Sequence, residues 1–278
     1  MYNAKVNETA IRGNFLNTER LSVVTAVIML AYTLNRFIEL PAQTITLQIP
    51  GLFLEFVIND SILTAVLVAG LAATGANWLL RDHPGRNQQP ILPNMLVPAV
   101  TALVIGIPLN QMAFGIPWWA GLMAGTLLLV LVFVAEYIVI DAQDVRQPLA
   151  AASLSAVAFA IFLVLATALR GAGTRLFFIL PAIMAVTWLV SIRSLYLRLH
   201  GLWVVYEAAI IALILGQLAA ALHYWPLSPI RYGLFLLGPA YALTSLFSGL
   251  IEEKPRRTLF LEPAIVMGLS LLGALLLA

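Results

Sequence analysis

Residues 116–140 read IPWWAGLMAGTLLLVLVFVAEYIVI. One ionisable side chain, Glu136, interrupts an apolar run longer than the roughly 20 residues a helix needs to cross a bilayer. Backbone surrounded by lipid has no water to bond, so such a run folds as a helix that satisfies its own N–H and C=O groups.

The pattern recurs along the chain. Spans are predicted near 21–40, 60–80, 91–110, 116–140, 149–169, 175–197, 202–222, 229–250 and 259–278. With short connectors they use up the 278 residues and leave no room for a soluble catalytic domain. Hydrophobic residues make up 62% of the chain and charged residues 10%, against about 25% charged in a soluble domain. The expected fold is an all-α membrane protein, a bundle of about nine transmembrane helices with a short extracytoplasmic hairpin or interfacial segment. Residues 1–20 are expected to be a cytoplasmic N-terminal segment and 21–278 the polytopic transmembrane domain. The polar start, with Lys5, Glu8, Arg12 and Arg20, does not read as a cleaved signal.

Cationic connectors set the orientation. Nine crossings gather Lys5, Arg12, Arg20, Arg81, Arg86, Arg146, Arg193, Arg198, Lys254, Arg256 and Arg257 on one side, and Arg36, Arg170, Arg175 and Arg231 on the other. That asymmetry places the N-terminus in the cytoplasm and the C-terminus outside. Dropping the proline-rich span 91–110 would reverse every later connector and spoil it.

Residues 42–58 read AQTITLQIPGLFLEFVI. Polar and apolar residues alternate up to the turn dipeptide Pro50-Gly51. The pattern suits a hairpin on the outer surface or a re-entrant segment packed on the bundle. Asn59-Asp60-Ser61 then supplies helix-capping residues.

Ionisable groups inside hydrocarbon are costly, and so are functional candidates. Glu136, Glu207 and Glu262 are expected at similar depth near the cytoplasmic face, able to converge with Arg193, Arg198 or Arg257. Glu207 and Glu262 fall near helix N-termini, where the macrodipole also favours a purely structural carboxylate. Glu136 falls near a C-terminus, where it needs a partner, a proton or water. Asp141, Asp144 and Arg146 form a candidate polar site at the interface. Arg36 and Glu39 are spaced to close on each other as a local ion pair. Pro181 and the Gly238-Pro239 pair mark candidate helix breaks of the kind that build transporter sites. Gly121-x-x-x-Gly125 fits close helix packing.

Several chemistries find no footing. Cysteine is absent, and His83, His200 and His223 make neither a facing haem pair nor a zinc set. No cofactor or metal is expected. The scattered basic residues give no nucleic-acid footprint. Glu252-Glu253-Lys254-Pro255-Arg256-Arg257 resembles the first motif of intramembrane CAAX-type proteases, but the helices that would carry that family's histidines do not follow.

Residues 49–84, IPGLFLEFVINDSILTAVLVAGLAATGANWLLRDHP, combine an outer Pro-Gly segment with a Thr-Gly-x-x-Trp helix end and an Arg-x-His-Pro loop. The stretch resembles an uncharacterised family of bacterial polytopic inner-membrane proteins. The resemblance implies a bacterial membrane location and no particular activity. The leading expectation is a non-enzymatic scaffold or accessory subunit that packs in the lipid bilayer with another membrane protein or with itself. The alternatives are a transporter of a small or lipophilic solute and a lipid-modifying membrane enzyme.

Overall fold

The computed structural model describes residues 16–38, 43–49, 52–58, 60–81, 83, 92–141, 144–173 and 175–277. Nine helices and one hairpin lie among them: α1 (Thr18–Phe37), β1 (Gln43–Ile49), β2 (Leu52–Ile58), α2 (Asp60–Leu80), α3 (Leu92–Gln111), α4 (Ile116–Val139), α5 (Gln147–Gly171), α6 (Leu176–Arg198), α7 (Val205–His223), α8 (Pro229–Ile251) and α9 (Arg256–Leu276). Among the described residues, eight helices, α2 to α9, are long and apolar enough to cross a membrane. This is an all-α membrane bundle. The polar residues of α1, among them Glu19, Arg20, Asn35 and Arg36, set it apart from the other eight.

The alternating stretch is an antiparallel hairpin. Gln43 pairs with Ile58 and Ile49 with Leu52 across the Pro50-Gly51 position. Glu39, one half of the expected pair with Arg36, lies outside the described residues.

The chain divides into two compact units, 1–144 and 145–278. In the first, α1 packs on α2 and α4, and α3 lies between α2 and α4. Lipid tails are as apolar as leucine, so helices associate here through close packing rather than escape from water. Small residues permit that approach. The α2 face of Ala72, Gly75 and Ala76 is buried, and a Cβ on Gly75 would collide with Val24 of α1. Gly121 and Gly125 of α4 face α3, where a methyl on Gly125 would sit 2.6 Å from Ile105 Cγ2. Helix α1 is held at both ends. Arg20 Nη1 donates to the Trp78 carbonyl over 3.0 Å and its guanidinium lies over the Trp78 ring, while the buried Tyr32 hydroxyl donates to the Ala102 carbonyl.

In the second unit α8 is central, touching α5, α6, α7 and α9. Its core runs through Phe162, Ile183, Leu195, Ile211, Leu215, Tyr232 and Leu236. Two of the predicted outer arginines cap helix C-termini, whose last carbonyls lack intrahelical partners. Arg170 donates to the carbonyls of His223 (2.9 Å) and Trp225 (3.1 Å), and Arg231 donates to that of Leu277 (3.2 Å). Apolar side chains such as Leu127, Leu131, Leu213 and Leu269 stay more than half exposed, as a lipid-facing surface requires.

The expected helix breaks at Pro181 and Gly238-Pro239 are not breaks. Helix α6 runs through Pro181 and α8 runs through Pro239. A proline removes one helical donor, and packed neighbours keep the rest of the helix in place. Gly238 serves contact instead, because a side chain there would collide with Ser270 of α9.

Candidate functional site

Helix α8 carries Tyr241, Thr244, Ser245 and Ser248, spaced so that they share one face. Thr244 and Ser248 are buried and turn their hydroxyls onto the helix itself, Thr244 to the Ala240 carbonyl and Ser248 to that of Ser245. Thr244 also lies 3.4 Å from Ser191 of α6. Tyr241 and Ser245 reach further, to charged groups on neighbouring helices.

Arg198 closes α6, where the helix dipole favours a cation. Its Nη1 donates to Ser245 Oγ over 3.2 Å and lies 3.3 Å from Glu262 Oε1 in the second turn of α9. The guanidinium carbon sits 5.1 Å from the centre of the Tyr241 ring, in cation–π range. The Tyr241 hydroxyl donates to Glu262 over 2.6 Å, and Phe159 of α5 packs edge-on against that ring. Three helices thus meet in one charge-assisted cluster.

The turn after α6 brings a further group. His200 adopts a left-handed backbone (φ +52°), and the Gly201 N–H bonds back to the Tyr196 carbonyl at 2.9 Å. This is a Schellman cap with histidine where glycine is usual.

These groups rim a pocket of about 490 Å³. One wall is a face of α5 made of Pro148, Ala151, Ala152, Ser155 and Ala156. The polar end is Gln147, Arg198, His200, Tyr241 and Glu262. The small side chains of α5 create the space. A mostly apolar cleft with a few convergent polar groups is the usual form of a small-molecule site.

The other sequence candidates lie elsewhere. Glu207 is half-buried in the first turn of α7 and does not line the pocket. Arg193 is buried on α6 with its guanidinium over Tyr196. Arg146 is exposed just before α5, and Arg257 is exposed at the start of α9. Glu136 is buried on α4 of the first unit, and within the second unit Glu262 and Arg198 meet. The Asp144 N–H bonds to the Asp141 carbonyl over 3.2 Å. Near it, His83 is buried edge-on against Tyr137, and burial lowers its pKa more than the charge of Asp141 raises it.

Sequence reading missed His200 and the α5 wall as parts of a site. The alanine and serine stripe from 151 to 156 was the available signal, and it reads equally well as ordinary helix packing.

The fold and this pocket define a multi-pass helical membrane protein with a ligand-sized cleft in its second unit. The chain belongs to the DUF5656 family, described as proteins of unknown function, which it matches over residues 40–277. No curated protein and no solved structure matches it.

Proposed function

We propose that the second unit is the ligand-binding part of a carrier for a small amphipathic anion. The 490 Å³ pocket carries this reading, because it joins an alanine-lined wall to Arg198. The ligand's apolar body lies along Ala151, Ala152 and Ala156. Its anionic group meets the guanidinium edge that Ser245 and Glu262 leave free, with His200 and Gln147 as further donors. The pocket favours the transporter over the scaffold. The protein crosses a bacterial inner membrane nine times, with its N-terminus in the cytoplasm, a reading supported by the arginine asymmetry.

The test is binding of decyl phosphate to the full chain in mild detergent, with decanol and decyltrimethylammonium as controls. Saturable binding of the anion alone is expected, lost in R198Q and weakened in A152L, which fills the pocket without touching Arg198. Equal binding of all three amphiphiles, or binding unchanged in both variants, would overturn the proposal. Given binding, counterflow of the anion in proteoliposomes separates a carrier from a static receptor.

A further inference from the structure

The first unit has a pocket of its own. It occupies about 150 Å³ and is lined by Tyr32, Asn35, Arg36, Asp60, Ser61, Leu109, Asn110 and Trp118. Its composition is the reverse of the first pocket's. A guanidinium, a carboxylate, two amides and two hydroxyls share a space large enough for several waters. Four elements converge on it: the last turn of α1, the first turn of α2, the last turn of α3 and the start of α4.

Its two charges are separate. Among the described residues, ion pairs join Arg198 to Glu262 and Lys254 to Glu252, and neither Arg36 nor Asp60 takes part in one. Arg36 instead sits over the Phe114 ring, 5.7 Å from its centre. Asp60 opens α2, where the dipole favours a carboxylate whatever else it does. That structural role explains its presence, but not the exposed Arg36 and the two amides, half-buried Asn35 and exposed Asn110, that line the same cavity. The walls are preorganised. Asn35 Oδ1 accepts from Thr64 Oγ1 at 2.5 Å, which turns its amide N–H₂ away from that bond, and Trp118 is fixed edge-on against Trp119.

We propose that this pocket binds a small zwitterion, its anionic group held by Arg36 with the Asn35 and Asn110 amides, and its ammonium held by Asp60 and the face of Trp118. The fit is to an ammonium and an oxyanion joined by a short linker, the chemistry shared by free amino acids and the phosphoethanolamine headgroup of a lipid. The aromatic group of Phe37, Phe114, Trp118 and Trp119 is of the kind found at headgroup depth, so both sources reach the pocket. This site is independent of the anion pocket, and neither reading depends on the other.

The experiment is calorimetric titration of the full chain with glycine, β-alanine and phosphoethanolamine, against acetate and ethylammonium as the two half-molecules. Saturable binding of at least one zwitterion is expected, tenfold or more tighter than either half. R36Q and D60N should each weaken it at least tenfold, and N110A, at an exposed position, severalfold. Lipid nanodiscs separate the sources. Free zwitterion that binds in phosphatidylglycerol discs but is displaced in phosphatidylethanolamine discs identifies the lipid headgroup as occupant, while binding in both identifies the free solute. No saturable zwitterion binding in phosphatidylglycerol discs, half-molecules binding as well as the whole, or R36Q, D60N and N110A all binding as wild type, would overturn the proposal.

Discussion

The Tyr241 hydroxyl donates over 2.6 Å to Glu262 Oε1, the same oxygen that lies 3.3 Å from Arg198 Nη1. One carboxylate oxygen therefore links α6, α8 and α9. Within the anion pocket this carboxylate competes with the ligand for Arg198. E262Q keeps an acceptor for Tyr241 and removes the charge. It should raise decyl phosphate affinity by about twofold to fivefold, the scale of a partly exposed ion pair worth up to about 1 kcal/mol. A measured fall in affinity would count against the pocket as an anion site.

His200 pairs a strained backbone with a place on the pocket rim. A non-glycine residue in the left-handed region is strained by about 1–2 kcal/mol, which glycine relieves. H200G should therefore raise the unfolding midpoint while weakening anion binding. Opposite movements of stability and affinity are the signature, and a loss of both would mean that the imidazole serves packing alone.

The contact between α3 and α4 is close enough to read by a single methyl. In G125A the added carbon overlaps Ile105 Cγ2, which should destabilise the first unit by about 1–3 kcal/mol. Adding I105A to G125A should recover part of that loss, giving a non-additive double-mutant cycle in detergent unfolding. Simple additivity would show that the two residues do not meet.

His83 predicts a pH dependence. Its folded-state pKa is lowered by burial, so folding favours the neutral ring. The unfolded chain takes up that proton near pH 6.5, so the contribution is complete above this value and is lost as pH falls through it towards the lower folded value. The unfolding midpoint of the wild type should drop between about pH 7.5 and pH 5. H83Q should show a shallower fall over the same range.

Crossing number has a direct readout. Nine crossings place the chain ends on opposite faces, whereas the eight strongly apolar helices alone would place them on the same face. Reporter fusions at residue 1 and after residue 278 should show a cytoplasmic N-terminus and an external C-terminus.

Architecture was legible in the sequence because lipid imposes one rule along the whole chain. Runs such as 116–140 must be helices, and α4 occupies Ile116–Val139 within that range. The hairpin was legible from the alternation on either side of Pro50-Gly51. The site was only half legible. Glu262 and Arg198 stood out as charges in apolar helices, but so did Glu207 and, more strongly, Glu136, and depth alone does not say which helix faces which. The pocket depends on α5 lying against α6 and α8, a tertiary arrangement that leaves no periodic trace. The prolines misled for a related reason. Pro181 and Pro239 remove donors locally, and whether the helix survives is decided by neighbours that sequence does not display.

Helix α1 bonds to carbonyls far ahead of it, Arg20 to Trp78 and Tyr32 to Ala102, which lie 58 and 70 residues later. During synthesis it leaves the ribosome before either acceptor exists, and it is the helix least able to enter lipid unaided. Its docking therefore waits until α2 and α3 have been made, and until then its arginine and tyrosine rely on water, headgroups or the insertion machinery for hydrogen bonds.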